Sequence, residues 1–139
     1  MRKFVFRLEK VLDYRRLTEE WAKDAYLFAQ AARLDADAAL AAICEGRVAM
    51  LAMPVLGLQE RLGLEAMLER LDGEEAMQRR VIVDLIEDEE RSLEEWIERR
   101  RDVEVLVKLR EREHQAWLLE SARREQAALD EWAVLRRAA

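Results

Sequence analysis

The sequence predicts an all-α fold, an antiparallel two-helix coiled coil closed into an α-hairpin. Three observations carry that expectation. Ala, Leu, Arg, Lys and Glu supply 87 of the 139 residues, beyond the roughly one-half that marks coiled coils and long helices. The helix breakers Pro54, Gly57, Gly63 and Gly73 fall in one 20-residue window, with Gly46 the only other glycine. Apolar residues recur at alternating three- and four-residue steps on both sides of that window, the seam spacing of a coiled coil. With two serines, one threonine and no asparagine, the chain has turn residues for one or two reversals only. Sheets and multi-loop folds need many more.

The single hairpin, residues 1–139, divides into a helix over 5–53, a turn or short helix over 54–73, and a helix over 74–137. In the first helix Leu8, Val11, Arg15, Thr18, Ala22, Ala25, Ala29, Ala32, Ala36, Ala39, Ile43, Gly46, Met50 and Met53 keep the three-four rhythm. Its alanines admit a close partner helix but bury little area each, so pairing rests on the bulkier residues at the two ends. Segment 58–71 has helical periodicity of its own and reads either as a short helix capping the turn or as an early, kinked start of the second helix. Asp72-Gly73-Glu74-Glu75 has the chemistry of a helix start, with Asp72 as cap and Glu75 at the third position.

The second helix repeats the seam at Ile82, Ile86, Glu89, Leu93, Trp96, Arg100, Val103 and Val107, then shifts to Leu118, Ala122, Glu125, Leu129 and Trp132. The shift near His114–Leu118 has the form of a stutter, which locally unwinds a supercoil. A first helix of about 50 residues at about 1.5 Å per residue spans about 75 Å, and the second is longer. The two termini therefore share one end, with the second helix projecting past the first. Phe4, Phe6, Tyr14, Trp21, Tyr26 and Phe28 would meet Trp96, Trp117 and Trp132 towards that end.

Charge and cysteine content narrow the function. A formal net charge of −6 opposes nucleic-acid binding, which needs a basic surface to displace counterions. Arg79-Arg80 and Arg99-Arg100-Arg101 are interleaved with acids such as Asp84, Glu87, Glu95, Glu98 and Asp102; they read as solvated faces with i,i+4 pairs. Cys44 is alone, so no internal disulfide forms, and it reads as a packed thiol rather than a nucleophile. The single histidine lies in Glu111-Arg112-Glu113-His114. A carboxylate-bridged metal bundle needs two such Glu-x-x-His motifs, so no metal, cofactor or catalytic residue is expected. There is no secretory h-region and no apolar run near the roughly 18 residues of a membrane span. The expectation is a cytoplasmic, non-enzymatic protein that contacts other proteins without direct membrane insertion.

The two ends of the chain carry a resemblance. Phe-Val-Phe-Arg-Leu-Glu-Lys-Val-Leu-Asp-Tyr-Arg-Arg-Leu-Thr-Glu-Glu (4–20) resembles the opening of the flagellar FliJ family. Leu-Arg-Glu-Arg-Glu (109–113) and Glu-Ser-Ala-Arg-Arg-Glu-Gln-Ala-Ala-Leu-Asp-Glu-Trp-Ala (120–133) are similar to its close. The resemblance implies an accessory protein of the flagellar type III export apparatus, with a hairpin similar to the γ stalk of rotary ATP synthases. It implies binding inside the flagellar export ATPase ring, a link to the export gate membrane protein, and in some members the handing over of export chaperones. The implied location is cytoplasmic, peripheral to the inner membrane. Carried onto this sequence, the ATPase-facing residues are Phe4, Phe6, Leu8, Arg15 and Arg16, then Arg123, Arg124, Glu125, Gln126, Asp130 and Glu131. The gate-facing surface has no counterpart identified in the sequence.

Three other readings compete. A rotary-ATPase stalk subunit uses the same hairpin but usually carries a globular domain between its helices, and 54–73 is too short for one. A generic coiled-coil adaptor or chaperone would bind a client rather than a ring. Exposed apolar stripes could also drive self-association into a larger bundle.

Overall fold

A computed structural model describes residues 2–139. It shows two long helices in antiparallel contact, α1 (Glu9–Leu51, 43 residues) and α2 (Leu58–Ala138, 81 residues), with no strand among the described residues. The fold is the all-α hairpin. It divides into two compact units, a terminal unit of Met1–Glu20 with Ile97–Ala139 and a turn unit of Trp21–Trp96.

The helix limits differ from those expected. Helix α1 starts at Glu9, not residue 5, because Phe6 leaves the helical path and buries its ring, 4% exposed. The Glu9 amide then bonds the Phe6 carbonyl at 3.2 Å. Helix α1 stops at Leu51, three residues before Pro54, whose missing N–H and ring cannot continue a helix. Helix α2 begins at Leu58 rather than 74. The Glu60 carboxylate reaches back to accept from the Leu56 amide at 3.1 Å, and the Arg61 amide bonds the Gly57 carbonyl at 3.1 Å. Of the alternatives for 58–71, the structure shows the early start. Gly63 and Gly73 lie inside α2 without a positive φ. Each costs only about 1 kcal/mol relative to Ala, too little to break a helix with good formers on both sides. Asp72 and Glu75 cap nothing; both instead hold Arg47 of α1.

In the turn unit, the deepest α1 positions are Ala22, Ala29 and Ala36, at seven-residue intervals, and Ile82 is their buried counterpart on α2. Two ion pairs cross-link the antiparallel helices at matching levels, Arg33 with Glu89 and Arg47 with Glu75. The intermediate seam positions are Tyr26, Arg33, Leu40 and Arg47, all half-buried, whereas Ala25 and Ala39 are exposed. The expected seam is therefore right at every seventh residue; between them Ala32 and Gly46 stay half-buried beside Arg33 and Arg47, while Ala25 and Ala39 give way to Tyr26 and Leu40. A seven-residue repeat can be divided as three-four or four-three; the latter buries Tyr26 and Leu40 in place of two alanines. Tyr26 stacks on Trp96 with ring centroids 5.6 Å apart. Arginine in a seam is tolerated here because Arg33 also bonds Asp37 at 3.0 Å, and Glu89 accepts from its second nitrogen at 3.3 Å.

The same displacement recurs in the terminal unit. Leu12 is fully buried and Val11 is 40% exposed. On α2 Leu106 is buried in place of Val107, and Val103 holds as expected. Phe6, Leu12 and Leu106 form the core, with Phe4, Leu8, Val103 and Leu109 packed on it.

Candidate functional site

The terminal unit holds every residue singled out for partner binding, and the structure separates them into two groups. Phe6 is core, and Leu8 and Phe4 pack against that core. Arg15 is half-buried and donates to the Asp102 carbonyl at 3.2 Å. These four side chains fasten the start of the chain onto α2. Arg16 is exposed, as are Arg123, Arg124, Glu125, Gln126, Asp130 and Glu131.

The fastening is aromatic as well as aliphatic. Phe4 lies 4.9 Å from the His114 ring and 6.1 Å from that of Trp117, and His114 stacks on Trp117 at 6.2 Å and 11°. Arg110 approaches the Phe4 face at 6.0 Å and pairs with Glu9 at 3.0 Å. Trp117 is thus half-buried against the chain's own Phe4. Trp132 is outside, 58% exposed, with the Arg136 guanidinium 5.1 Å above its ring. His114 and Arg110 lie three and seven residues before Trp117 on one helical face, a spacing visible in the sequence that marks them as its neighbours.

Beyond Ser121 every residue of α2 is exposed. Leu129, Trp132, Val134 and Leu135 are each about three-fifths exposed (60%, 58%, 66% and 64%). The stripe shift expected as a stutter coincides with this change. Leu118, at 42% exposure, and the stripe that follows it no longer face the chain's own core. Polar residues there bond along their own helix, Arg124 to Glu120 at 2.7 Å and Gln126 to Asp130 at 3.1 Å. Surface i,i+4 pairs of this kind stabilise by a few tenths of a kcal/mol, so a partner can exchange them at little cost. Where the chain's start meets α2, a groove of about 310 Å3 is lined by Arg2, Trp117, Glu120, Ser121, Arg124 and Glu125.

The geometry defines a coiled-coil protein whose exposed chemistry is arginine, carboxylate and large apolar side chains along a helix. The family model described as flagellar FliJ protein matches residues 4–138, and the chain belongs to that family. The family is a non-catalytic component of flagellar protein export, which gives this chain a role in flagellum biogenesis and export. No curated protein and no solved structure matches the chain. Among the described residues no helix is long and apolar enough to cross a membrane.

Proposed function

We propose that this chain is a central-stalk-like accessory of the flagellar export ATPase, seated by the end of α2 in the ATPase ring on the cytoplasmic side of the membrane. The observation that carries the reading is the stretch 122–138, fully helical and exposed along its whole length. A helix that buries none of its Leu, Val and Trp residues in its own fold presents an anchor set for a partner. Arg16, Arg123, Arg124, Glu125, Gln126, Asp130 and Glu131 make the polar contacts. Phe4, Phe6, Leu8 and Arg15 act indirectly, by holding the chain's start against α2. Docking promotes ring assembly and links the ring to the export gate, and export chaperones are handed over from the same complex.

Mixing the protein with the export ATPase tests this. Oligomerisation and hydrolysis rate rise on addition of the wild type. Arg124→Ala with Asp130→Ala weakens binding and impairs motility; the reading fails if neither changes and the wild type leaves the ATPase unaltered.

A further inference from the structure

The turn unit carries a second surface of different chemistry. Residues 48–59, Val-Ala-Met-Leu-Ala-Met-Pro-Val-Leu-Gly-Leu-Gln, are the longest uncharged run in a chain that is 39% charged. A reversal in such a chain would ordinarily be polar, because loops meet water. Here Met53 is 64% exposed, Leu56 87% and Leu58 75%. Two open clefts flank the reversal. One, of about 660 Å3, is walled by Leu56, Leu58, Leu64 and Leu68. The other, of about 330 Å3, is walled by Met50, Met53, Pro54, Leu64 and Met67. They share Leu64 and Val55, so a single ligand can enter both. Methionine-lined apolar clefts adapt to the side chains of a docked helix, and helices dock through anchors spaced three, four and seven apart.

Charge selects among occupants. Over residues 45–75 three arginines accompany seven acids, a net of −4. All three arginines are already engaged: Arg47 with Asp72 and Glu75, Arg61 with Glu65, Arg70 with Glu74. An acidic surround is repelled by an anionic lipid surface and by the same surround on a second copy. It attracts lysine and arginine. We infer that the turn clefts are a docking site for a basic amphipathic helix of a partner protein.

The test titrates full-length protein into a fluorescein-labelled model peptide of leucine and lysine in a three-four repeat, read by anisotropy. The wild type binds. Met53→Ser with Leu56→Ser removes one exposed wall residue from each cleft without changing charge, and weakens binding about tenfold. Glu65→Lys with Glu69→Lys weakens it comparably, and Val105→Ser, an exposed site outside the turn unit, leaves it intact. Equal binding of a leucine–glutamate peptide, or no binding of the basic one, overturns the inference. So does capture by phosphatidylglycerol vesicles that the Met53/Leu56 variant loses, which assigns the surface to lipid. A dimer in sedimentation velocity that the same variant dissolves assigns it to a second copy. None of the turn variants alters α2 beyond Leu118, so this site and the ATPase-docking reading fail independently.

Discussion

Leu12 and Val11 give the sharpest test of the packing. They are adjacent on α1, and only the observed register puts Leu12 inside. Leu12 is 0% exposed and Val11 is 40% exposed. Leu12→Ala removes three buried carbons, about 2.4 kcal/mol at about 0.8 kcal/mol each, and leaves a gap against Phe6 and Leu106. A helix pair can close part of that gap, so the cost is about 3 kcal/mol, in the lower half of the range for core leucines. Val11→Ala removes two carbons that are already partly in water, about 1 kcal/mol. The better helix propensity of Ala returns about half of that. The two variants therefore differ by about 2.5 kcal/mol. Urea unfolding followed by far-UV circular dichroism reads this directly. With a slope of about 2–3 kcal/mol per molar, Leu12→Ala lowers the midpoint by about 1 M and Val11→Ala by a few tenths at most. A loss at Val11 equal to or larger than that at Leu12 would refute the register and restore the seam through Val11.

Other consequences follow from single features. Gly63→Ala and Gly73→Ala each raise stability by about 1 kcal/mol, because a Cβ at either position meets nothing within 4 Å. Thermal melts should rise by roughly 2–8 °C, whereas a fall would place a left-handed turn there. Phe6→Ala costs about 3 kcal/mol or more and speeds tryptic cleavage at Arg7 and Lys10, since Phe6 is the buried pin of the non-helical start. The Glu75 carboxyl is held below its ordinary pKa by hydrogen bonds from Arg79 and Arg47. A carboxyl depressed on folding contributes its full stabilisation above its unfolded pKa, about 4.3, and loses it as pH falls through the lower folded value. The melting temperature of the wild type should thus decline below about pH 4, and Glu75→Gln should flatten that part of the profile.

The hairpin was legible because composition and breaker position are global properties that no single contact can overturn. Pro54 marked the reversal correctly, since a missing N–H is a local fact. Gly63 and Gly73 misled because a glycine in a helix costs only about 1 kcal/mol. In α2 that cost is carried among strong helix formers, with Arg47 bonded to the carboxylates read as a cap. The seam was legible at every seventh residue and at Thr18, Ala32 and Gly46, but not where Leu12, Tyr26 and Leu40 replace Val11, Ala25 and Ala39. Runs of alanine look alike on neighbouring faces, so the choice fell to Tyr26, Leu40 and the long arginines, whose ion-pair partners lie tens of residues away. Within the candidate site, Trp117 and Trp132 look alike in sequence. What distinguishes them is Phe4, which folds back over the first and leaves the second bare.

Docking through the bare end of α2 is most directly tested by Leu129→Ser with Trp132→Ser in the full chain. Binding to the purified flagellar export ATPase and the melting temperature are measured side by side. Both side chains are mostly in solvent, 60% and 58% exposed, so the melting temperature should stay within about 2 °C of the wild type, as for other exposed sites. Affinity should fall about tenfold or more, as expected for lost aromatic anchors. Unchanged affinity would contradict docking through this helix end. A melting temperature lowered by many degrees would show instead that these residues serve the chain's own fold.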